Sequence, residues 1–196
     1  MVSNMKEDQS LNVRIAQRVR DLRTSKELSL DALSTQCGVS RSMLSLIERG
    51  ETSPTAVVLD KLAAGLGVPL ASLFEAPPRA DEPVARRADQ AVWQDPHSGY
   101  LRRNVSPGGI KSPTQIVEVT FPPQARVTYE AGARSPVVLQ QIWMLEGRME
   151  VTYGDALYAL EAGDCLAIPL DSPNSFHNPG DVPARYAVVL TTLARS

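Results

Sequence analysis

The 196-residue sequence predicts a two-domain chain of the α + β class, with a helical domain at residues 1–74, a linker at 75–90 and an antiparallel β domain at 91–196. Three observations predict it. First, apolar residues before residue 75 recur three or four apart, as Val13, Ala16, Val19 and Leu22, then Leu30 and Leu33, Leu44 and Ile47, and Val58, Leu62 and Leu66. That is the spacing of one face of a helix. Second, thirteen of the fifteen prolines fall after residue 74, among short runs at 115–121, 137–145, 149–153, 166–168 and 185–190. Those runs alternate or are β-branched, and Gly, Pro, Asn and Asp fill the gaps between them, which is a strand-and-turn pattern. Third, residues 75–89 carry Pro77, Pro78, Pro83 and several charges, as a stiff solvated connector does.

Composition narrows the classes of function. With 43% hydrophobic residues the chain has material for packed cores. No apolar run approaches the ~20 residues of a membrane helix, and the polar first ten residues lack the apolar stretch of an export signal. Cys37 and Cys165 stand far apart in no metal-type spacing, so two reduced, buried thiols and a cytoplasmic location are expected. Net charge is −2, with nine Lys/Arg against eight Asp/Glu in residues 1–74 and eleven against fourteen in 75–196. Binding to nucleic acid must therefore come from placed charges, not from a basic tail.

Five helices fit the first domain: residues 11–25, one following Ser29, one following Ser40, one starting at Pro54, and residues 70–74. Ser29 and Ser40 are good N-caps, because a serine oxygen accepts a free N–H of the first turn. Ser53-Pro54 places a cap before a proline at a position where its missing N–H costs nothing. Gly38 and Gly50 can take the left-handed conformation that ends a helix. Two helices joined through Cys37-Gly38-Val39 make a helix-turn-helix. On the second of them Leu44 and Ile47 face the core with Met43 alongside, while Ser42, Ser45, Leu46 and Arg49 share the opposite face, with Arg41 at its start. Short polar side chains flanked by arginines let a helix sink into a major groove about 12 Å wide and let arginine fork onto guanine. A merely solvated helix face also carries Ser and Arg. The arginines of the first helix divide the same way, between a solvated face and a phosphate contact by Arg23 or Lys26.

The ordered series Leu-Ser-Leu-Asp-Ala-Leu-Ser at 28–34, Gly38-Val39-Ser40, Leu44-Ser45-Leu46-Ile47-Glu48-Arg49-Gly50 and Ser53-Pro54-Thr55 closely resembles the phage-repressor-like (XRE) helix-turn-helix family. The resemblance covers residues 11–74 and implies a five-helix domain of the lambda-repressor type that binds double-stranded operator DNA. By position it implies base-reading roles for Arg41, Ser42 and Leu46 with Ser45 beside them. It implies phosphate or structural roles for Ser29, Ser40, Arg49 and Thr52, and a structural role for Glu48. Leu46 departs from the polar residue usual in the family and suits a thymine methyl or the stem of a neighbouring arginine. One such module reads a half-site, so a homodimer is implied.

In the second domain, Ile142-Trp143-Met144-Leu145-Glu146-Gly147-Arg148-Met149-Glu150-Val151, then Leu160-Glu161-Ala162-Gly163-Asp164, Ile168-Pro169 and Asn178-Pro179-Gly180 resemble the cupin family. The implied fold is an antiparallel β jelly-roll barrel, with a hairpin through Tyr153-Gly154-Asp155-Ala156. The family's metal positions are altered here. Gln140 stands seven residues before Gly147 where glutamate is usual, residues 133–136 contain no histidine, and Asn174 stands at the late histidine position. A divalent metal needs about three converging imidazole or carboxylate ligands, so no metal or other cofactor is expected. With neither a metal set nor a nucleophile–base pair, no enzyme activity is expected. A barrel lumen still offers a small-molecule site. Gln140, Ile142 and Met144 share one strand face, and Arg126, Tyr129, Arg134, Asn174 and His177 are further polar candidates. An arginine in the lumen implies a carboxylate-bearing effector. The sequence thus reads as a DNA-binding transcription regulator, expected to be a repressor, whose barrel senses a small molecule. The alternatives are a constitutive repressor that uses the barrel to dimerise and a metal-dependent barrel enzyme with a DNA-binding appendage.

Overall fold

In the computed structural model, residues 2–74, 82–108, 112–130 and 137–193 are described, with backbone only for residues 2–10. Helices come first: α1 (Val2–Ser25), α2 (Leu30–Cys37), α3 (Arg41–Glu48) and α4 (Ala56–Gly65). The expected fifth helix, Leu70–Phe74, is a 3-10 turn, so the domain has four α-helices and one such turn. The first helix starts well before residue 11. Its buried stripe is Leu11, Ile15, Ala16 and Val19, whereas Val13 is 60% exposed.

The ends of the helices follow local chemistry. Ser29 Oγ accepts the N–H of Ala32 at 3.0 Å and Ser40 Oγ that of Met43 at 3.3 Å. Gly38 and Gly50 both have positive φ. At Gly50 the N–H groups of Gly50 and Glu51 reach back to the carbonyls of Ile47 and Leu46 at 2.9 and 3.0 Å, which is how a left-handed residue satisfies the last carbonyls of a helix. α4 does not start at Pro54. Pro54 is buried ahead of it and Thr55 is the N-cap. The N–H of Ala56 then donates to Asp95 Oδ1 at 2.9 Å. A carboxylate at that end also complements the helix dipole. Asp95 lies in the second domain, so no local signal predicted its share in this start.

Ten strands follow among the described residues: β1 (Val92–Gln94), β2 (Leu101–Asn104), β3 (Thr114–Phe121), β4 (Arg126–Tyr129), β5 (Val138–Glu146), β6 (Arg148–Tyr153), β7 (Ala156–Glu161), β8 (Cys165–Pro169), β9 (Asn174–His177) and β10 (Ala184–Thr192). They form two antiparallel sheets, six strands in the order β1-β2-β3-β10-β5-β8 and four in the order β4-β9-β6-β7. Each of the five runs read from the sequence overlaps a strand, and the expected hairpin pairs Tyr153 with Ala156. The isolated short strands β1, β2, β4 and β9 had too few alternating residues to stand out. Asn178 ties the sheets together. It is fully buried, and its Nδ2 donates to the carbonyls of Phe121, Pro122 and Val182 at 3.2, 3.1 and 2.9 Å while Oδ1 accepts the N–H of Gly180 at 2.9 Å. Cys37 is buried as expected, but Cys165 is exposed on β8, opposite Trp143 of β5.

The buried side chains of both parts make one continuous core. Phe74 meets Trp93 at 5.4 Å between ring centroids, Trp93 meets Tyr100 at 5.8 Å, and Tyr100 stacks on Phe121 at 5.4 Å. Asn104 Nδ2 donates to the carbonyl of Phe74 at 3.2 Å, and Lys61 of α4 pairs with Glu130 at 2.9 Å. Of the expected linker, residues 82–90 are described. They are mostly exposed and contain a 3-10 turn at Arg87–Asp89.

Candidate functional site

Two places concentrate polar chemistry. On the outer side of α3, Arg41, Ser42, Ser45, Leu46 and Arg49 line a shallow depression together with Leu30 of α2. Leu44 and Ile47 bury the opposite side of the helix, while Met43, expected alongside them, is 38% exposed. Arg41 pairs loosely with Asp31 at 3.2 Å, both largely exposed. Arg49 grips Glu51 through two bonds of 2.6 and 2.8 Å and also donates to Ser45 Oγ. That bonding pushes the Glu51 carboxyl below its ordinary range. The cap serines Ser29 and Ser40 sit exposed at the starts of α2 and α3, and Thr52 lies half-buried just beyond α3.

Behind α3, Glu48 takes Arg23 of α1 in a two-pronged ion pair, Nε to Oε1 at 2.6 Å and Nη2 to Oε2 at 2.9 Å, with side chains only 14% and 8% exposed. Arg23 Nη1 also donates to the carbonyl of Leu28 at 2.7 Å. Arg23 is therefore committed to holding α3 against α1, not free for phosphate, and Glu48 has the structural role its position implied.

The second place is a cavity of about 60 Å³ lined mostly by the β domain and in part by Asp60, Pro69 and Leu70 of the helical domain. On β5 the residues at 138, 140, 142 and 144 point inward and those at 139, 141 and 143 point out. Of the sequence candidates, Gln140, Tyr129 and Asn174 line the cavity. Ile142 and Met144 share the inward face but are packed into the core at 0% and 1% exposure, away from it. Arg126 is exposed. His177 sits opposite Glu150 on the four-stranded sheet, with Nδ1 2.8 Å from Oε2, and does not line the cavity. Arg134 lies outside the described residues.

Among the lining residues that sequence reading missed are Asp60, Tyr100, Arg102, Phe176 and Tyr186. The signal for two of them was alternation, since Tyr100 and Arg102 stand two apart and both face in. Arg102 is 6% exposed, and its Nε and Nη2 have no hydrogen-bond partner. Its guanidinium lies over the ring of Phe74, 5.1 Å from the centroid. Burial pulls its pKa down and pushes the Tyr129 and Tyr186 phenols well above their ordinary value. The Tyr100 and Tyr129 hydroxyls meet at 3.3 Å.

This donor set does not fit a divalent metal. The two candidate ligand positions in the cavity carry amides, Gln140 and Asn174, and a buried guanidinium shares the space. Among the described residues no three His, Cys, Asp or Glu side chains gather, whereas a divalent site wants about three such ligands. Among the described residues no helix is long and apolar enough to cross a membrane.

Residues 19–73 match the helix-turn-helix family model HTH_3, and residues 117–190 match the cupin domain model Cupin_2. The chain is similar to a solved HTH_3 family transcriptional regulator from Vibrio cholerae, with TM-score 0.77 and 26% identity over 95% of this chain and 99% of that one. It is 24% identical to the HTH-type transcriptional regulator SutR of Escherichia coli, covering 83% of this chain and 86% of the relative. With the HTH-type transcriptional regulator PuuR of Escherichia coli it shares 26% over 82% and 85% of the two chains. A helix-turn-helix domain followed by a cupin domain makes this chain a member of the XRE-type helix-turn-helix transcription regulators that carry a C-terminal cupin domain.

Proposed function

We propose that this regulator reads a two-fold operator as a homodimer, with α3 in the major groove, and that its cupin cavity takes a small effector without catalysing a reaction on it. The observation that carries the reading is the face of α3. Two arginines flank short side chains on a helix whose other side buries Leu44 and Ile47 and whose base is clamped by the Arg23–Glu48 pair. Short side chains allow close approach to base edges, and arginine supplies the specific contact. Arg41, Ser42 and Leu46 read bases with Ser45. Arg49, Thr52 and the starts of α2 and α3 at Ser29 and Ser40 hold phosphates.

The second copy docks on the outer face of the six-stranded sheet. Ile116, Leu139 and Trp143 stand exposed there at 41%, 40% and 51%. Half-site reading requires two copies, and this apolar strip supplies a self-complementary surface. The protein works as a repressor in the cytoplasm, and effector binding alters its grip on DNA.

The test is selection of random-sequence DNA duplexes by the full-length protein. The expected product is an inverted pair of half-sites with centres about 34 Å apart or a multiple of that. Recovery of unrelated sequences with no common motif overturns the reading.

A further inference from the structure

We infer that the cavity is built for a small carboxylate, gripped by Arg102, and that the DNA-binding domain itself forms part of the effector site. The inference rests on the sensing role proposed above and specifies its chemistry.

Three observations carry it. The first is Arg102. It is 6% exposed and lines the cavity, yet its Nε and Nη2 have no partner. Those two nitrogens lie on one edge of the guanidinium, and together they present the parallel pair of N–H groups that a planar carboxylate accepts in two bonds. Leaving a buried guanidinium edge unpaired is costly, and a bound anion removes that cost. Asp60, buried in the same lining, lies close enough to act on the Arg102 charge but does not bond its Nε or Nη2, so that edge stays open; the other polar lining groups are neutral. Tyr129 and Tyr186 are held as phenols by burial, and Gln140 and Asn174 are amides. They supply hydrogen bonds to a carboxylate or to polar atoms beside it.

The second is size and lining. A cavity of about 60 Å³ has room for roughly four to six waters at about 10–15 Å³ each. Phe121, Phe176, Val119 and Leu190 line much of the rest. The fitting ligand is a short organic acid or small amino acid with an apolar body, not a nucleotide or sugar phosphate.

The third is the wall. Asp60 of α4 and Pro69 and Leu70 beyond it belong to the helical domain, and all three line the cavity. Arg102 stacks on Phe74, at the end of that domain. A carboxylate bound to Arg102 draws on the charge that faces Phe74 and presses on Asp60, Pro69 and Leu70. The ligand therefore touches both domains at once, and the shift reaches the helix-turn-helix through α4, without a relay through the barrel wall.

The experiment uses the full-length chain. Thermal melting is followed with short aliphatic carboxylates and small α-amino acids, each beside its neutral amide and the matching alkylamine. Carboxylates are expected to raise Tm by about 5–11 °C at roughly a hundredfold excess over Kd, and the amides and amines to leave it unchanged. Arg102→Lys, which keeps a charge but loses the fork, is expected to abolish the response. The wild-type panel decides the ligand class even where that variant folds poorly. A saturating carboxylate is expected to change affinity for the selected operator by about 5–150-fold. Responses to amides or amines alone overturn the carboxylate assignment and leave the sensing role standing. A carboxylate that stabilises the protein but leaves DNA affinity unchanged overturns the two-domain site. Silence across all three classes overturns the sensing role and this inference together.

Discussion

Replacing Glu48 with Gln should loosen α3 from behind. Arg23 and Glu48 are 14% and 8% exposed and share two short bonds, while Arg23 holds one more to the Leu28 carbonyl. The amide keeps one acceptor for Arg23, so one charge-assisted hydrogen bond is lost, worth about 1.5–3 kcal/mol. The guanidinium also loses its counter-charge in a site where removing one partner typically costs about 3–5 kcal/mol. Because the pair is not wholly dry and one bond survives, the expected loss is about 2–4 kcal/mol. In urea unfolding, with a slope of about 1–3 kcal/mol per molar, the midpoint falls by roughly 1–2 M. The double variant Arg23→Met with Glu48→Met should recover most of the loss, since an apolar pair of similar volume removes both desolvation costs. A loss under about 0.5 kcal/mol for the single variant, with no recovery in the double, would refute the reasoning, because exposed pairs behave that way.

Arg41→Ala should weaken operator binding by about 1–3 kcal/mol and relax preference at one base pair, and uniform weakening across operator variants would make Arg41 a phosphate contact instead. Glu51→Gln releases Arg49 from its carboxylate partner, so DNA binding should tighten at low salt and the gain shrink as salt rises; unchanged affinity at low salt would mean Arg49 does not reach DNA. Asn178→Ala leaves three carbonyls and one N–H without their partner in a fully buried site, and the expected loss in denaturant unfolding is about 3–5 kcal/mol. Trp143→Glu places a charge in the proposed dimer face, and sedimentation should show monomer with weakened operator binding; a persistent dimer would place the interface elsewhere.

Much of the DNA-reading half was legible because its signals are local. Ser29, Ser40, Gly38 and Gly50 act on backbone groups within four residues of themselves, so their roles follow from spacing. The alternation of β5 likewise put Gln140, Ile142 and Met144 on one face with no knowledge of the partner strands, and the structure shows that face to be the inward one. Where the signal was long-range the sequence misled. The start of α4 is decided in part by Asp95, thirty-nine residues further along the chain, and the expected core position of Met43 depends on which neighbours arrive there.

The sequence by itself determined the order of domains, the arginine-flanked face of α3 and the loss of metal-type ligands from the cupin positions, because residue type and spacing along one element suffice for each. Only the tertiary structure decided that Arg23 serves Glu48, that His177 turns to Glu150 and that Arg102 lines the cavity. Those outcomes depend on which groups from distant segments are buried together, and burial leaves Nε and Nη2 of Arg102 without a hydrogen-bond partner.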